Sequence, residues 1–471
     1  MYRNLIIGGI KQMSTTLLTI NLIIAIAIIL GAIMLFHVNA TVALVVAGLY
    51  MGVTCGLGWL PTIEVIGKGF GGTMAGMGFS IVFGVIIGEL LSKSGGANII
   101  AETMVEFFPA QKALYAVALT AFVLSIPVFF DITFIILIPI GIAISKKIHK
   151  SIAHVVGAIA IGGCTAHVLV PPTPNPLAAP SIFGFDLGFM VASGLIVGLI
   201  NVLIVLPLYN KLMDSGYFNA EKDIDAGSMI ELNQDTSVLP ANHPCFAASM
   251  VPILLPLFCI LSATVSAAIC ENPPIFISIL GNKLIAMLLG VVAAYLVSYK
   301  SIGKKDLDEV GNQALKGSGI AAMVTAAGGA FGAVIQATKI GDHLVGALGI
   351  SGTSGGIILM LVGFAVAFIF KIAQGSGTVA GITSMQIMST LTANLTIHPI
   401  FIAIACLSGG MGPGHVNDSA FWVTANLSGL KVSGGLKTYT TSQMMCAIVI
   451  FAIALIAATI LPIPATFARV M

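Results

Sequence analysis

The sequence predicts an all-α polytopic membrane protein made of two inverted repeats, with about ten transmembrane helices, two re-entrant hairpins and two broken helices. Three observations lead there. Of 471 residues, 58% are hydrophobic and only 8% are charged, against about a quarter charged in a soluble domain, and mean hydropathy is +1.07. Apolar runs long enough for a bilayer recur along the chain. The 53 glycines and 20 prolines are the residues that gather where membrane helices break. The same figures exclude a water-soluble enzyme, and a net charge of +2 with no basic cluster excludes a nucleic-acid binder. Seven scattered cysteines with no CxxC pair give no disulfide framework and no zinc site. No cofactor is expected.

The first half is 1–210. Its first apolar run, 17–36, has the length of a span and no clear cleavage site, so it reads as a helix rather than a signal peptide. Runs at 42–58 (short) and 69–92 follow. Residues 113–145 then hold two arms too short for comfortable crossings, separated by the tip Ser125-Ile-Pro-Val-Phe-Phe-Asp131. Such arms suit a re-entrant hairpin. Next comes a helix over 152–185, broken at Gly162-Gly-Cys-Thr-Ala-His-Val-Leu-Val-Pro-Pro-Thr-Pro-Asn-Pro176, and a closing span, 187–210.

A hydrophilic segment, 211–245, reads as a solvated cytoplasmic linker, with Asp214, Glu221, Asp223, Asp225, Glu231 and Asp235 against Lys211 and Lys222. The second half, 246–471, repeats the order. Spans at 250–269, 280–299 and 317–337 precede a hairpin, 355–393, with the tip Lys371-Ile-Ala-Gln-Gly-Ser-Gly-Thr378. A helix over 398–430 is broken at Ser408-Gly-Gly-Met-Gly-Pro-Gly-His-Val-Asn-Asp-Ser419, and 444–462 closes the half. Interrupted segments at corresponding places in two halves mark the binding site of a secondary transporter.

The basic residues argue that the two halves are inverted. Lys112, Lys146, Lys147 and Lys150 flank the first hairpin, which therefore enters from the cytoplasm. Neither loop around the second hairpin, at 351–356 and 394–398, holds a Lys or Arg, so it enters from outside. Along that path 13 of the 20 Lys and Arg residues fall inside, six outside (Arg3, Lys11, Lys68, Lys283, Lys339, Arg469), and Lys371 lies within the membrane. Arg3 and Lys11 put a basic N-terminus outside, against the rule.

Charge inside a membrane is costly and points to function. Between Lys112 and Lys146 the only charged residue is Asp131; between Lys339 and Lys431 there are only Asp342, Lys371 and Asp418. Asp342 is expected at the outer interface, and Glu89, near the end of its span, is expected to face the interface rather than a proton path. Asp131 and Asp418 are candidates for handling a coupling ion, or for capping half-helices at the tips. No arginine stands between Arg3 and Arg469, so an anionic substrate has no guanidinium clamp. It must use half-helix N-termini, hydroxyls and Lys371, unless Lys371 pairs with an aspartate. Gln374, Gly375, Ser376, Gly377 and Thr378 combine close backbone approach with hydroxyl donors beside a helix start, which suits an anion or polyol. Thr165, His167, Thr173 and Asn175 in the first break, and His415, Asn417 and Ser419 in the second, are candidate hydrogen-bonding partners. His167 and His415 are also candidates to shuttle protons, since an unperturbed histidine titrates near neutral pH. No nucleophile-elbow pattern supports a hydrolase.

At these residues the chain resembles the gluconate permease family of the ion transporter superfamily. The resemblance rests on Ser94-Gly-Gly-Ala97, Ile126-Pro-Val-Phe-Phe-Asp131, Phe134-Ile-Ile-Leu-Ile-Pro139, His167-Val-Leu-Val-Pro-Pro172 with Pro174 and Pro176, Gly375-Ser-Gly-Thr-Val-Ala380 and His415-Val-Asn-Asp-Ser-Ala-Phe-Trp422. It implies a bacterial inner-membrane, proton-linked uptake permease for gluconate and related aldonates, with a branch that takes D-serine. It also implies a homodimer with an elevator mechanism. Thr173 and Asn175 stand where the family pattern leads one to expect His and Gly, which leaves the identity of the hydroxy acid open.

The expectation is therefore a symporter for a small hydroxylated carboxylate, coupled to protons or, alternatively, to sodium. A D-serine or glycerate-type permease is the neighbouring alternative. An anion channel is the rival class, disfavoured because polarity is confined to tips and breaks rather than spread along pore-lining helices.

Overall fold

Every regular element among the described residues is helical; the only β pairings are two isolated bridges, Ile224 with Leu430 and Ile397 with Pro464. The computed structural model describes residues 15–36, 38–225, 242–270, 272–304, 306–338, 352–392 and 395–461, together with 463, 464 and 467. Arg3, Lys11, Lys339, Asp342, Arg469 and the linker stretch 226–241 lie outside them.

In the first half, α1 (Thr15–Met34), α2 (Ala40–Thr54) and α3 (Trp59–Lys93) lead through α4 (Gly96–Glu106) to a helix pair, α5 (Ala113–Leu124) and α6 (Phe130–Lys147). An interrupted helix follows, α7 (Ile152–Leu169) and α8 (Pro174–Phe183), and then α9 (Leu187–Leu212). The second half runs α10 (Phe246–Ile269), α11 (Lys283–Ile302) and α12 (Leu307–Ala337). Its helix pair is α13 (Gly352–Gln374) and α14 (Gly377–Ser389), its interrupted helix α15 (Pro399–Met411) and α16 (Ser419–Leu427), and its last helix α17 (Thr441–Ile460).

Among the described residues, seven helical stretches are long and apolar enough to cross a bilayer, or eight if the two arms of α3, bent by 44° between Gly76 and Gly78, form one span. The expected ten are not reached among the described residues. The shortfall lies partly at α2, whose 15 residues span about 22 Å at 1.5 Å each, short of the hydrocarbon thickness. In the other direction, α13 has 23 residues and is longer than the arm expected for a hairpin.

Packing follows the apolar pattern. The best window of the α7–α8 stretch is 94% buried inside the protein and that of the last helix only 33%, so the interrupted helices form the centre and α17 faces outward. A helix apolar all round belongs in such a centre. The arms of each helix pair lie on the interrupted helix that follows, α5 and α6 on α7, α13 and α14 on α15. The halves also cross over, α14 packing on α8 and α16 on α6. Outside this unit α3 and α12 run against one another, joined through small residues: a Cβ at Gly69 would meet the Gly329 carbonyl at 2.7 Å, and one at Gly329 the Thr73 hydroxyl.

The linker is not simply solvated where it is described. Asp214 pairs with Lys150 at 2.7 Å, and Asp223 is 1% exposed and pairs with Lys437 at 2.8 Å. The main chain of Asp225 donates to the Gly429 carbonyl, and that of Lys431 to the Asp223 carbonyl. Residues 219–225 are thus clipped to the loop that follows α16.

Candidate functional site

Each interruption has a local cause. α7 stops at Val170, extended at φ −111° and ψ 118°, because Pro171 and Pro172 supply no amide hydrogen and disfavour helix before them. The chain restarts at Pro174, whose fixed φ suits a first helical position. α15 ends at Gly412, followed by Pro413, and α16 restarts from Asp418, whose Oδ1 accepts from the Ala420 amide at 3.0 Å. At the first tip, Ser125 donates to the Thr133 hydroxyl across the turn at 3.0 Å. At the second, Gly375 has φ +80°, and a Cβ there would collide with the Asn417 carbonyl. Glycine is required on both counts. Ser376 caps α14 by accepting from the Val379 amide.

These stops converge. One cavity of about 710 Å³ is lined by Asp131, His167 and Asn175 from the first half and by Lys371, Gly375, Ser376, Gly377, Thr378, Asn417, Asp418 and Ser419 from the second. Four helix starts open onto it, those of α6, α8, α14 and α16. A helix start presents unsatisfied N–H groups and partial positive charge, although at α8 only Asn175 among the first three residues has an amide hydrogen, because Pro174 and Pro176 have none. Asn175 ties the halves together at this point, its Nδ2 donating to the Gly377 carbonyl at 3.0 Å.

The only lysine on the cavity among the described residues is engaged. Lys371 Nζ lies 2.7 Å from Asp418 Oδ2 and donates to the Gly375 carbonyl at 2.6 Å, and both side chains are over nine-tenths buried. Tyr439 donates to the same Asp418 oxygen at 3.0 Å, and its ring lies 5.8 Å from that of Phe130 at the first tip. Asp131 lines the cavity in the first turn of α6, with no hydrogen bond to its carboxylate among the described residues. His167, Asn175 and Gln443 line the same cavity, and His167 Nδ1 and Asn175 Oδ1 are buried with no hydrogen-bond partner among the described residues.

Three candidates from the sequence are turned elsewhere. Thr165 accepts from Asn201 Nδ2 at 2.9 Å, Thr173 donates to the His167 and Val170 carbonyls, and His415 meets the Ile372 carbonyl at 3.0 Å. None of the three is on the cavity lining. The side chain of Gln374 lies outside the description. Glu89, expected at the membrane interface, instead lines the cavity from α3, beside Val85. Tyr439 and Gln443 escaped sequence reasoning because a neutral polar residue near a span is ordinary. Glu89 carried a signal, a carboxylate inside the run 69–92.

A family model described as GntP family permease matches residues 16–460. A gluconate permease of Pseudomonas aeruginosa is 30% identical over 434 residues, 90% of this chain and 94% of that protein. An uncharacterized permease of Haemophilus influenzae is 30% identical over 87% of this chain and 86% of its own. The Gnt-II system L-idonate transporter of Escherichia coli is 26% identical, covering 88% and 92%. Among solved structures, the YdaH transporter of Alcanivorax borkumensis shares the fold with a TM-score of 0.56 at 12% identity, over 85% of this chain and 89% of that one.

Proposed function

The chain belongs to the GntP permease family, and from that premise we propose that it takes up a small hydroxylated monocarboxylate of the gluconate type together with a proton. Relatives named for gluconate and L-idonate support the substrate class. The observation that carries the reading is the meeting of four helix starts on one cavity whose only lysine among the described residues is already paired. A carboxylate is held there by amides and dipoles, as half-helix starts hold anions in other carriers. The substrate hydroxyls meet the polar side chains of His167, Asn175 and Gln443, which line the cavity.

Charge balance supplies the coupling. Asp418 and Lys371 pair with each other, so Asp131 and Glu89 remain as the acids on the cavity without an ion-pair partner among the described residues. An anion lodged beside Asp131 meets a like charge in surroundings where repulsion is strong. Adding a proton to Asp131 removes that repulsion, so anion and proton bind together. The unit made by tips and breaks moves as one body against the α3–α12 wall, an elevator arrangement, with the two halves oppositely oriented in a bacterial inner membrane and two protomers per carrier. Because Asp131 is free to pair with an ammonium, a zwitterionic hydroxy amino acid such as D-serine is the second reading.

The test is uptake in proteoliposomes with an imposed pH gradient. Accumulation of gluconate or another aldonate, abolished by a protonophore and indifferent to sodium, is expected. Accumulation that follows sodium alone overturns the coupling, and preference for D-serine over every aldonate and glycerate overturns the substrate.

A further inference from the structure

We propose that Glu89 restricts the carrier to substrates of a single negative charge, an inference that rests on the anion-carrying reading above. Two glycines fix how α3 faces the site. A Cβ at Gly84 would meet Pro172 of the first break at 3.3 Å, and one at Gly88 would meet the Pro127 carbonyl of the first tip at 2.7 Å. They lie one turn apart, so α3 seats its backbone against both elements along one stripe. The adjoining stripe, Val85 and Glu89, is thereby directed into the cavity, and both residues line it.

Glu89 is partly exposed there, and no ion pair or hydrogen bond engages its carboxylate among the described residues. The opposite charge that acts on it is Lys93, one turn further along α3. It stands on the wall contributed by α3, whereas Asp131, Lys371 and Asp418 belong to the tips and breaks.

The anion-binding groups and the wall acid thus occupy different parts of one cavity. A sugar acid anchored by its carboxylate at the helix starts extends its far end away from them, toward the wall. A terminal hydroxyl reaching Glu89 donates to it, and a second carboxylate is repelled. Two like charges about 10 Å apart in surroundings of intermediate polarity alter an equilibrium by about tenfold or more. Selection by repulsion of the wrong ligand is a general route to specificity.

The test compares gluconate with its dianionic counterpart glucarate. In wild-type proteoliposomes glucarate is expected to be transported, and to compete with labelled gluconate, at least about tenfold less well. Glu89→Gln should raise the glucarate-to-gluconate ratio about tenfold, while Glu89→Asp, which keeps the charge, should leave the ratio low. Wild-type protein that carries glucarate as well as gluconate overturns the inference without reference to any variant, as does an unchanged ratio in Glu89→Gln. Absence of all sugar-acid uptake by wild type overturns the reading beneath it as well.

Discussion

Lys371, Asp418 and Tyr439 form the polar centre of the site, and removing one charge from such a group is costlier than removing both. A buried ion left without its partner destabilises by roughly 3–5 kcal/mol, whereas apolar replacement of both members is often close to neutral. Lys371→Met should therefore lower the melting temperature of the purified protein sharply, and Lys371→Met combined with Asp418→Leu should recover part of the loss. Thermal unfolding in detergent decides it; a double variant no more stable than the single one would show that the pair is not acting as a unit. At this scale the sequence was informative where charge is rare. Asp131, Lys371 and Asp418 stood out as isolated charges in apolar surroundings, and all three line the cavity. Thr165, Thr173 and His415 sat close by in sequence, but their side chains satisfy neighbouring backbone or side-chain groups. Whether a polar side chain faces a cavity or closes a turn depends on helix rotation, which spacing alone does not give.

The interruptions were legible for a chemical reason: Pro171–Pro172, Gly375 and Gly412–Pro413 are residues at which a helix cannot continue, and the helices stop there. The clip between 219–225 and 429–437 was not, because it joins distant stretches through main-chain hydrogen bonds and one ion pair. Burial by itself would push the Asp223 carboxyl up, but the Lys437 ammonium, the Asn219 amide and Ser433 outweigh it and hold the group below the ordinary value. A depressed carboxyl contributes stability above the unfolded pKa of about 3.9, and the contribution disappears as pH falls through the lower folded value. The clip is therefore at full strength near neutral pH. Asp223→Asn should lower the melting temperature at pH 7, and the gap from wild type should close below about pH 4. A gap that persists undiminished at acid pH would assign the effect to packing rather than charge.

Across the whole molecule, two sets of helices with the same order meet so that the interruptions of both contribute to one cavity, and neither half supplies the site alone. Asn175 from the first half holds the Gly377 carbonyl of the second, and Phe130 of the first tip lies on Tyr439. The α3–α12 wall contributes Val85, Glu89, Gly317 and Val324 to the lining of the cavity. Such juxtapositions between residues hundreds of positions apart are what the sequence alone withholds. The account stands or falls on charge: an anion sits at four helix starts only when Asp131 has taken up a proton. Proton uptake on gluconate binding measures this directly, with purified protein in weakly buffered solution at about pH 8, where an ordinary carboxylate is ionised. The account predicts about one proton taken up per anion bound, and none when Asp131→Asn binds the same ligand. Gluconate binding by the wild type with no proton uptake would contradict it.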